Sequence, residues 1–144
     1  MSHDILAKDV VNHIISQDPF SKWLGIEVDE VREGFSRVHM VVREDMLNGL
    51  GIVHGGIPFS LADTAFGLAS NNRNNTSVAL DCSITFIKTI AAGDTLTASA
   101  SEIHNGRSTG VYVISISNIE GQQVALFKGT CFRTGKKLID SGSL

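Results

Sequence analysis

One stretch of this chain restricts the fold more than any other, because the segment from Ile57 to Ser70 is almost entirely apolar or small. Its length and composition predict a helix over 56–71, with Pro58 in the first turn, where the missing N–H costs no hydrogen bond. A helix that is apolar on nearly every side has to be enclosed by other elements. The rest of the chain must therefore supply a sheet that wraps around this helix.

The segments before this helix predict one further helix and a hairpin. Apolar residues at helical spacing predict a helix within 1–18, with Asp4 placed to cap it and Pro19 expected to end it. Two alternating segments then predict strands joined by a turn at "REG". These strands are expected over Gly25–Val31 and Phe35–Val42, and their inward residues are Ile26, Val28, Val31, Val38, Met40 and Val42.

Four strand-like segments follow the helix, spaced by about 12 residues with turn residues between them. No second long helix separates them, so parallel crossovers are disfavoured and antiparallel hairpins are expected. The prediction is an α+β fold, a single domain over 1–144 in which a long antiparallel sheet curls around one central helix. The four segments are Val78–Phe86, with Val78, Leu80, Cys82, Ile84 and Phe86 alternating, then Thr95–Ile103, Thr109–Ile119 and Gln123–Phe132.

The composition narrows the possible functions. The net charge is −3 and the cations form no basic stripe, which argues against a nucleic-acid partner. Cys82 and Cys131 lack a metal-ligand spacing, so we expect inert core thiols and no metal site. Dinucleotide, phosphate-loop and zinc motifs are missing from the sequence. Without a signal-peptide pattern or the ~20 apolar residues of a membrane helix, the sequence predicts a cytoplasmic protein with no membrane contact.

Asp63 is the one carboxylate within the apolar helix, and a buried, unpaired charge is costly. At helical spacing it shares a narrow stripe with Ser60, Thr64 and Gly67, whose small side chains allow close approach of a ligand or a second helix. One interpretation is that Asp63 only fixes packing by bonding neighbouring hydroxyls. The other is catalysis, because a carboxylate can activate water or attack an acyl carbon directly.

The residues that precede the helix favour the catalytic interpretation. Glycines at Gly55 and Gly56 let a ligand approach the backbone, and the free N–H groups of a first helical turn favour a developing oxyanion. A donor at the helix start and a carboxylate in its middle are the parts needed to hydrolyse an activated acyl group. His54 by itself is more typical of a helix cap than of a catalyst, and Asn48 is more typical of a turn.

Three segments carry a family resemblance: "NGLGIVHGGIPFSLADTAFGLA", "AAGDTLTASASEIHNGRSTGVYVISISN" and "VALFKG". From Phe20 to Phe132 the sequence resembles the hotdog-fold acyl-CoA thioesterases, specifically the branch found in phenylacetate-degradation pathways. The resemblance implies a hotdog fold and hydrolysis of aryl-acetyl thioesters of coenzyme A, with ring-hydroxylated phenylacetyl-CoA as the expected substrate. It implies no metal and no redox cofactor.

The resemblance also implies roles for single residues. Asp63 would be the catalytic carboxylate, as nucleophile or general base, and Gly55 would donate its N–H to the thioester carbonyl. Asn48 and His54 would shape the site and hold the leaving thiolate or the water. Thr64, beside Asp63 on the small stripe, is assigned to substrate binding.

Two cations are candidates for contacts with the phosphates of coenzyme A. Lys88 stands with Thr89 where many relatives carry an Arg-Pro pair, and Arg107 lies in the predicted "HNGR" turn. Each of them could instead be a solvated surface cation.

Two other functions remain open at this stage. A hotdog dehydratase or hydratase would pair a His with an acid, but the His-Phe-Pro style loop of such enzymes is missing from this sequence. A non-catalytic acyl-CoA-binding module is the second alternative, and a thiol-release assay with phenylacetyl-CoA would separate it from a thioesterase.

The spacing of Gly55 and Asp63 predicts the assembly. Eight residues of helix separate them by about 12 Å at 1.5 Å per residue, whereas attack on an acyl carbon requires contact at roughly 3–3.5 Å. One chain cannot easily bring both groups to one carbonyl, but two antiparallel helices on a two-fold axis can. We therefore expect a homodimer with shared active sites, and the family resemblance implies a dimer of dimers.

Overall fold

The computed structural model describes residues 2–140, which form three α-helices and six strands. A 3₁₀ turn over Glu44–Met46 precedes the long helix α3. The elements are α1 (His3–Ser16), α2 (Pro19–Leu24), β1 (Glu27–Arg32), β2 (Phe35–Val41), α3 (Gly56–Asn71), β3 (Ser77–Phe86), β4 (Thr95–Asn105), β5 (Thr109–Ser117) and β6 (Gln123–Arg133).

The six strands form one antiparallel sheet in the order β1-β2-β4-β5-β6-β3. Helix α3 packs against five of these strands and supplies much of the core. Its buried face interdigitates with the inward residues of β2, β4, β5 and β6, and Phe66 contacts the rings of Tyr112 and Phe127. The predicted α+β architecture is confirmed, and α3 has the bounds expected from its composition. The buried face of α3 consists of Pro58, Leu61, Ala62, Ala65, Phe66, Leu68, Ala69 and Ser70.

The N-terminal helices differ from the prediction at their ends. Ser2 caps α1 by accepting from the Ile5 N–H at 3.1 Å, so the expected cap at Asp4 is wrong. The Asp4 carboxylate instead accepts from the Glu33 N–H at 3.0 Å and ties α1 to the first hairpin. Pro19 follows the end of α1, as expected, but it also begins α2, a helix that the sequence did not predict. Asp18 caps α2, and proline fits its first turn.

Two strands depart from the expected alternation because each contains a bulge. In β1 the register shifts after Val28, whose side chain is exposed while Ile26 and Val31 are buried as predicted. In β3 the register shifts between Ala79 and Asp81, so the strand does not present one uniform inward face. Its apolar residues Val78, Leu80 and Phe86 are exposed, contrary to the expected inward set, whereas Cys82 and Ile84 pack against the core.

The two edges of the sheet differ in character. Strand β1 is charged, with the sequence "EVDEVR", and it contacts α1. Strand β3 carries "SVALDCSITF" and pairs only with β6 in the described part of the chain. A long apolar edge strand without Lys or Pro is a template for pairing with another chain. The β3 edge is therefore the unprotected side of this fold.

Helix α3 is anchored at its C-terminal end by Arg133, which is 5% exposed. The guanidinium donates to the Ser70 carbonyl at 3.0 Å and to the Tyr112 hydroxyl at 2.8 Å. That hydroxyl donates in turn to Glu102 at 2.6 Å, and burial raises the pKa of Tyr112, so the phenol stays neutral. A cation at a helix C-terminus also complements the helix dipole. This network fixes the direction of the helix that carries Asp63.

Neither α1, α2 nor α3 is long and apolar enough to cross a membrane. Both cysteines of the described chain are free thiols. Cys131 is buried in the core, and Cys82 packs against the core from β3.

Candidate active site

The start of α3 presents a backbone donor. Gly55 occupies the N-cap position with helical torsions, φ −56° and ψ −24°, and its N–H meets no acceptor within residues 2–140. The next N–H, that of Gly56, donates to Nδ1 of His54 at 2.9 Å. Because Nδ1 accepts this bond, we place the ring proton on Nε2. His54 is thus a helix cap, and one donor remains for a ligand at Gly55.

The backbone of Gly55 packs closely against the ring of Phe86. A Cβ at this position would lie 3.1 Å from the Cζ atom of Phe86, and two further atoms of the same ring lie within 3.7 Å. Such a contact is tighter than side chains normally make. The ring at the end of β3 therefore packs directly on the backbone of the donor residue.

Asp63 lies on the one stripe of α3 that the sheet leaves open. Its side chain is exposed in the protomer, on the stripe that the sequence predicts to be open to a ligand or a second helix. Even so, the surrounding protein withholds enough water to raise the pKa of the carboxyl above its ordinary value. The pKa of the neighbouring Cys82 thiol is also raised, by burial and then by the negative charges of Asp63 and Asp81. A carboxylate with a raised pKa is better suited to act as a base near neutral pH.

The remaining members of this stripe surround Asp63 with small polar groups. Ser60 donates its hydroxyl back to the Gly56 carbonyl at 2.6 Å, and Thr64 lies 3.5 Å from the Ser21 hydroxyl of α2, measured between the two oxygens. Neither hydroxyl bonds Asp63 in the described chain. The interpretation in which Asp63 serves packing through neighbouring hydroxyls therefore has no contact to support it.

Asn48 holds the turn before α3 and also lines the candidate site. Its Oδ1 accepts from the N–H groups of Leu50 at 2.9 Å and Ile52 at 3.4 Å, which holds the loop before α3. The same residue lines a cavity of about 300 Å³ together with Gly55 and Phe86. The other residues that line this cavity are Ile52, Val53, Pro58, Ile87, Lys88, Thr89 and Ile90. A larger groove of about 540 Å³ lies between α1 and β1, and no predicted site residue lines it.

The two candidate phosphate ligands lie at opposite ends of the protomer. The Lys88 N–H donates to the Val124 carbonyl at the start of β6, and the Arg133 N–H at its end donates to Ser108, next to Arg107. The nine residue steps of strand from Val124 to Arg133 span about 30 Å at ~3.3 Å each. One protomer therefore brings four predicted site residues together near the start of α3: Asn48, His54, Gly55 and Lys88. Asp63 and Thr64 lie further along α3, and Arg107 lies beyond the C-terminal end of this helix.

Phe86 is the site residue that the sequence did not reveal. Its apolar alternation with Ile84 and Cys82 predicted a core position, yet the ring ends on the backbone of a residue 31 positions earlier in the chain. Only the pairing of β3 with β6 at the sheet edge brings the two together. No local sequence signal encodes that contact.

Taken together, a curved antiparallel sheet around one helix, a free backbone donor at the start of that helix and a carboxylate on its open stripe define the hotdog class of acyl-transfer enzymes. The family model of the thioesterase superfamily matches residues 50–125, and the chain belongs to this superfamily. The chain is accordingly a thioester hydrolase, and the resemblance seen in its sequence is confirmed.

Individual relatives support the same assignment. The acyl-coenzyme A thioesterase PaaI of Escherichia coli K12 is 48% identical over 118 residues, covering 82% of this chain and 84% of the relative. The solved structure of the E. coli PaaI protein from the phenylacetic acid degradation operon matches with a TM-score of 0.93 at 43% identity, over 94% of this chain and 99% of that one. A hypothetical thioesterase of Streptococcus pneumoniae with coenzyme A matches with a TM-score of 0.75 at 34% identity, over 78% and 90%.

Proposed function

We propose that this enzyme hydrolyses aryl-acetyl-CoA thioesters, with ring-hydroxylated phenylacetyl-CoA as its substrate, to the free acid and coenzyme A. The observation that carries the proposal is the pair formed by the free Gly55 N–H and the Asp63 carboxylate with its raised pKa. The similarity to an acyl-CoA thioesterase whose structure is described as part of a phenylacetic acid degradation operon supports the substrate class.

Each proposed role follows from the chemistry of the group. The Gly55 N–H stabilises the oxyanion that forms when the thioester carbonyl is attacked. The Asp63 carboxylate activates water or attacks the carbon itself, and both routes require its ionised form. The Nε2–H of His54 and the amide nitrogen of Asn48 are donors that neither residue uses within the described chain, so they are suited to hold the leaving thiolate or the water.

The site is proposed to be shared between two copies of the chain. Helical torsions begin at Gly55, so the rise of about 1.5 Å per residue applies over all eight steps to Asp63 and separates the two by about 12 Å. A thioester carbon cannot contact both groups of one protomer. An antiparallel pair of α3 helices brings the start of one to the middle of the other, and the stripe with Gly67 allows close approach.

The edge strand β3 supports this dimer. Its outer edge is unpaired in the described chain, and its exposed apolar side chains Val78, Leu80 and Phe86 are 53%, 59% and 55% accessible. Antiparallel pairing of two β3 strands about a two-fold axis would join both sheets and cover Val78 and Leu80, while Phe86, at the end of the strand, lines the cavity beside Gly55. A dimer of dimers, and the cytoplasm as the place of action, remain predictions from the sequence and its family resemblance.

The proposed dimer also relates the two candidate cations to one bound ligand. Lys88 lies beside the Gly55 end of α3 and Arg107 beyond the opposite end. In an antiparallel pair, the far end of one helix approaches the near end of the other, so Lys88 of one protomer and Arg107 of its partner could flank one bound coenzyme A. We propose this pairing for the phosphate contacts, and Thr64 for a contact with the acyl part.

The experiment that tests the proposed function follows release of free coenzyme A from phenylacetyl-CoA with a thiol-reactive dye. The parent enzyme is expected to release thiol, and Asp63→Asn to lose on the order of 10²-fold or more in kcat, the usual effect of a lost acid–base group. A raised pKa means that the ionised carboxylate destabilises the folded state at neutral pH, so Asp63→Asn should melt no lower than the parent. Near-normal turnover by this variant contradicts the assignment.

The same assay separates the other two candidate functions. A dehydratase or hydratase would change the acyl group of a hydroxyacyl-CoA or enoyl-CoA without releasing thiol, and an acyl-CoA-binding module would bind without turnover. Either result with phenylacetyl-CoA and a hydroxyacyl-CoA in parallel would overturn the proposed hydrolysis.

A further inference from the structure

The ring of Phe86 and the Gly55 N–H belong to one cavity. Phe86 lies at the end of β3, and its Cζ, Cε1 and Cε2 atoms lie 3.1, 3.4 and 3.7 Å from the position that a Cβ on Gly55 would occupy. Both residues line the cavity of about 300 Å³ in front of α3. The distance between the proposed oxyanion donor and an aromatic side chain is therefore fixed by direct packing.

The Phe86 ring keeps a free surface for a ligand. Although part of it covers the Gly55 backbone, the residue is 55% exposed. The neighbouring walls of the cavity are mostly apolar, from Val53, Pro58, Ile87 and Ile90, with Lys88 as the cation of the lining. An apolar cavity with few polar groups is typical of a small-molecule site.

The geometry of an aryl-acetyl group matches this arrangement. When the thioester oxygen accepts from the Gly55 N–H at about 2.9 Å, a single methylene separates the carbonyl carbon from the aryl ring, whose centre then lies within about 7 Å of the Gly55 nitrogen. The Phe86 ring packs on the same residue. The two rings can thus reach the separation of 4.5–7 Å between centres at which aromatic pairs are favourable.

We propose that Phe86 is a specificity-determining residue that binds the aryl ring of the substrate and sets the preference of this enzyme for aryl-acetyl over saturated acyl groups. The inference rests on the proposed function and extends it to the acyl subsite. A saturated ring of the same size would bury similar apolar area but would lack the ring–ring interaction, so the preference should be modest and should depend on the aromatic side chain.

The test compares kcat/KM for phenylacetyl-CoA with kcat/KM for cyclohexylacetyl-CoA in the same enzyme preparation. The ratio is independent of the amount of active protein, so partial loss of folding or assembly does not affect it. Phe86→Leu and the more flexible Phe86→Met are expected to lower this ratio roughly 2- to 10-fold, and Phe86→Tyr to preserve it. The matched control is Phe132→Leu. Phe132 is also an exposed phenylalanine, but it lies near the end of β6, whereas Phe86 pairs with Ala125 near the start of that strand, and it lines no part of the cavity.

An unchanged ratio in Phe86→Leu and Phe86→Met overturns the inference, while hydrolysis of phenylacetyl-CoA by the parent would leave the proposed function intact. An equal fall in Phe132→Leu also overturns it, because the effect would then not belong to the subsite. If the parent hydrolyses neither thioester, the proposed function fails and the inference fails with it.

Discussion

Asp63 occupies the open stripe of α3, where water is partly withheld and no neighbouring hydroxyl bonds it within residues 2–140. Its raised pKa means that the ionised form is less favoured than in a free aspartate. That disadvantage costs folding stability and makes the carboxylate more basic, which is useful for water activation at neutral pH. This arrangement supports the proposed catalytic role of Asp63.

The pH profile of hydrolysis tests this interpretation. Activity requires ionised Asp63, so kcat/KM of the parent is expected to fall as pH decreases through a midpoint above the ordinary pKa of an aspartate. The residual activity of Asp63→Asn should lack this acidic limb, because the amide does not titrate. Stopped assays between pH 4 and about pH 8, the range around that midpoint, measure both profiles. If kcat/KM of Asp63→Asn falls at the same midpoint as that of the parent, another group causes the fall.

Several members of the candidate site could be proposed from the sequence alone. Gly55 and Asp63 could be predicted because both lie on one helix, and helical spacing relates them without tertiary information. The sequence favours a cap role for His54, and its Nδ1 accepts from the Gly56 N–H. Phe86 could not be predicted, because its contact with Gly55 depends on how an edge strand ends. Which residues bind the phosphates stays a prediction for the same reason.

The central helix and the edge strand show opposite degrees of predictability. Helix α3 has the predicted bounds, since composition, Pro58 and the polar run that follows all point to the same limits. Strand β3 looked like a core strand because it alternates, but a bulge and its edge position leave three apolar side chains exposed. Strand order is a long-range property, so alternation alone could not show which strand lies at the edge.

A charge on this edge tests its role as an interface. Leu80→Lys places an ammonium on β3, and two such charges would meet or lose their hydration where two β3 strands pair. We expect the variant to sediment as a monomer and to lose most of its hydrolytic activity in analytical ultracentrifugation and thiol-release assays.

The matched control is Ile103→Lys, which changes an equally exposed apolar residue on β4, an interior strand of the sheet. This variant is expected to retain at least the dimer and its activity. If Leu80→Lys remains an active dimer, β3 is not the interface that forms the site.

At the scale of the whole molecule, the central claim is that one protomer does not contain a complete site. The donor at Gly55 and the carboxylate at Asp63 are held about 12 Å apart by the geometry of a helix, and α3 is fixed in place by the sheet and by Arg133. Small changes within the protomer cannot close that distance. In the proposed mechanism, a second copy brings the two groups to the same carbonyl.

The most direct measurement of this claim is subunit complementation between Asp63→Asn and Gly55→Pro, each inactive alone. Proline fits the φ of −56° at Gly55 and removes the N–H, and a Gly55→Ala control separates this loss of the donor from the contact that any Cβ here makes with the Phe86 ring. The two variants are mixed, unfolded and refolded together, which yields mixed dimers with one intact site and one doubly altered site. The account predicts recovery of about one quarter of the parent activity, because half of the dimers are mixed and each has one working site. No recovery in proven mixed dimers, or an active monomer of the parent, would contradict the shared site.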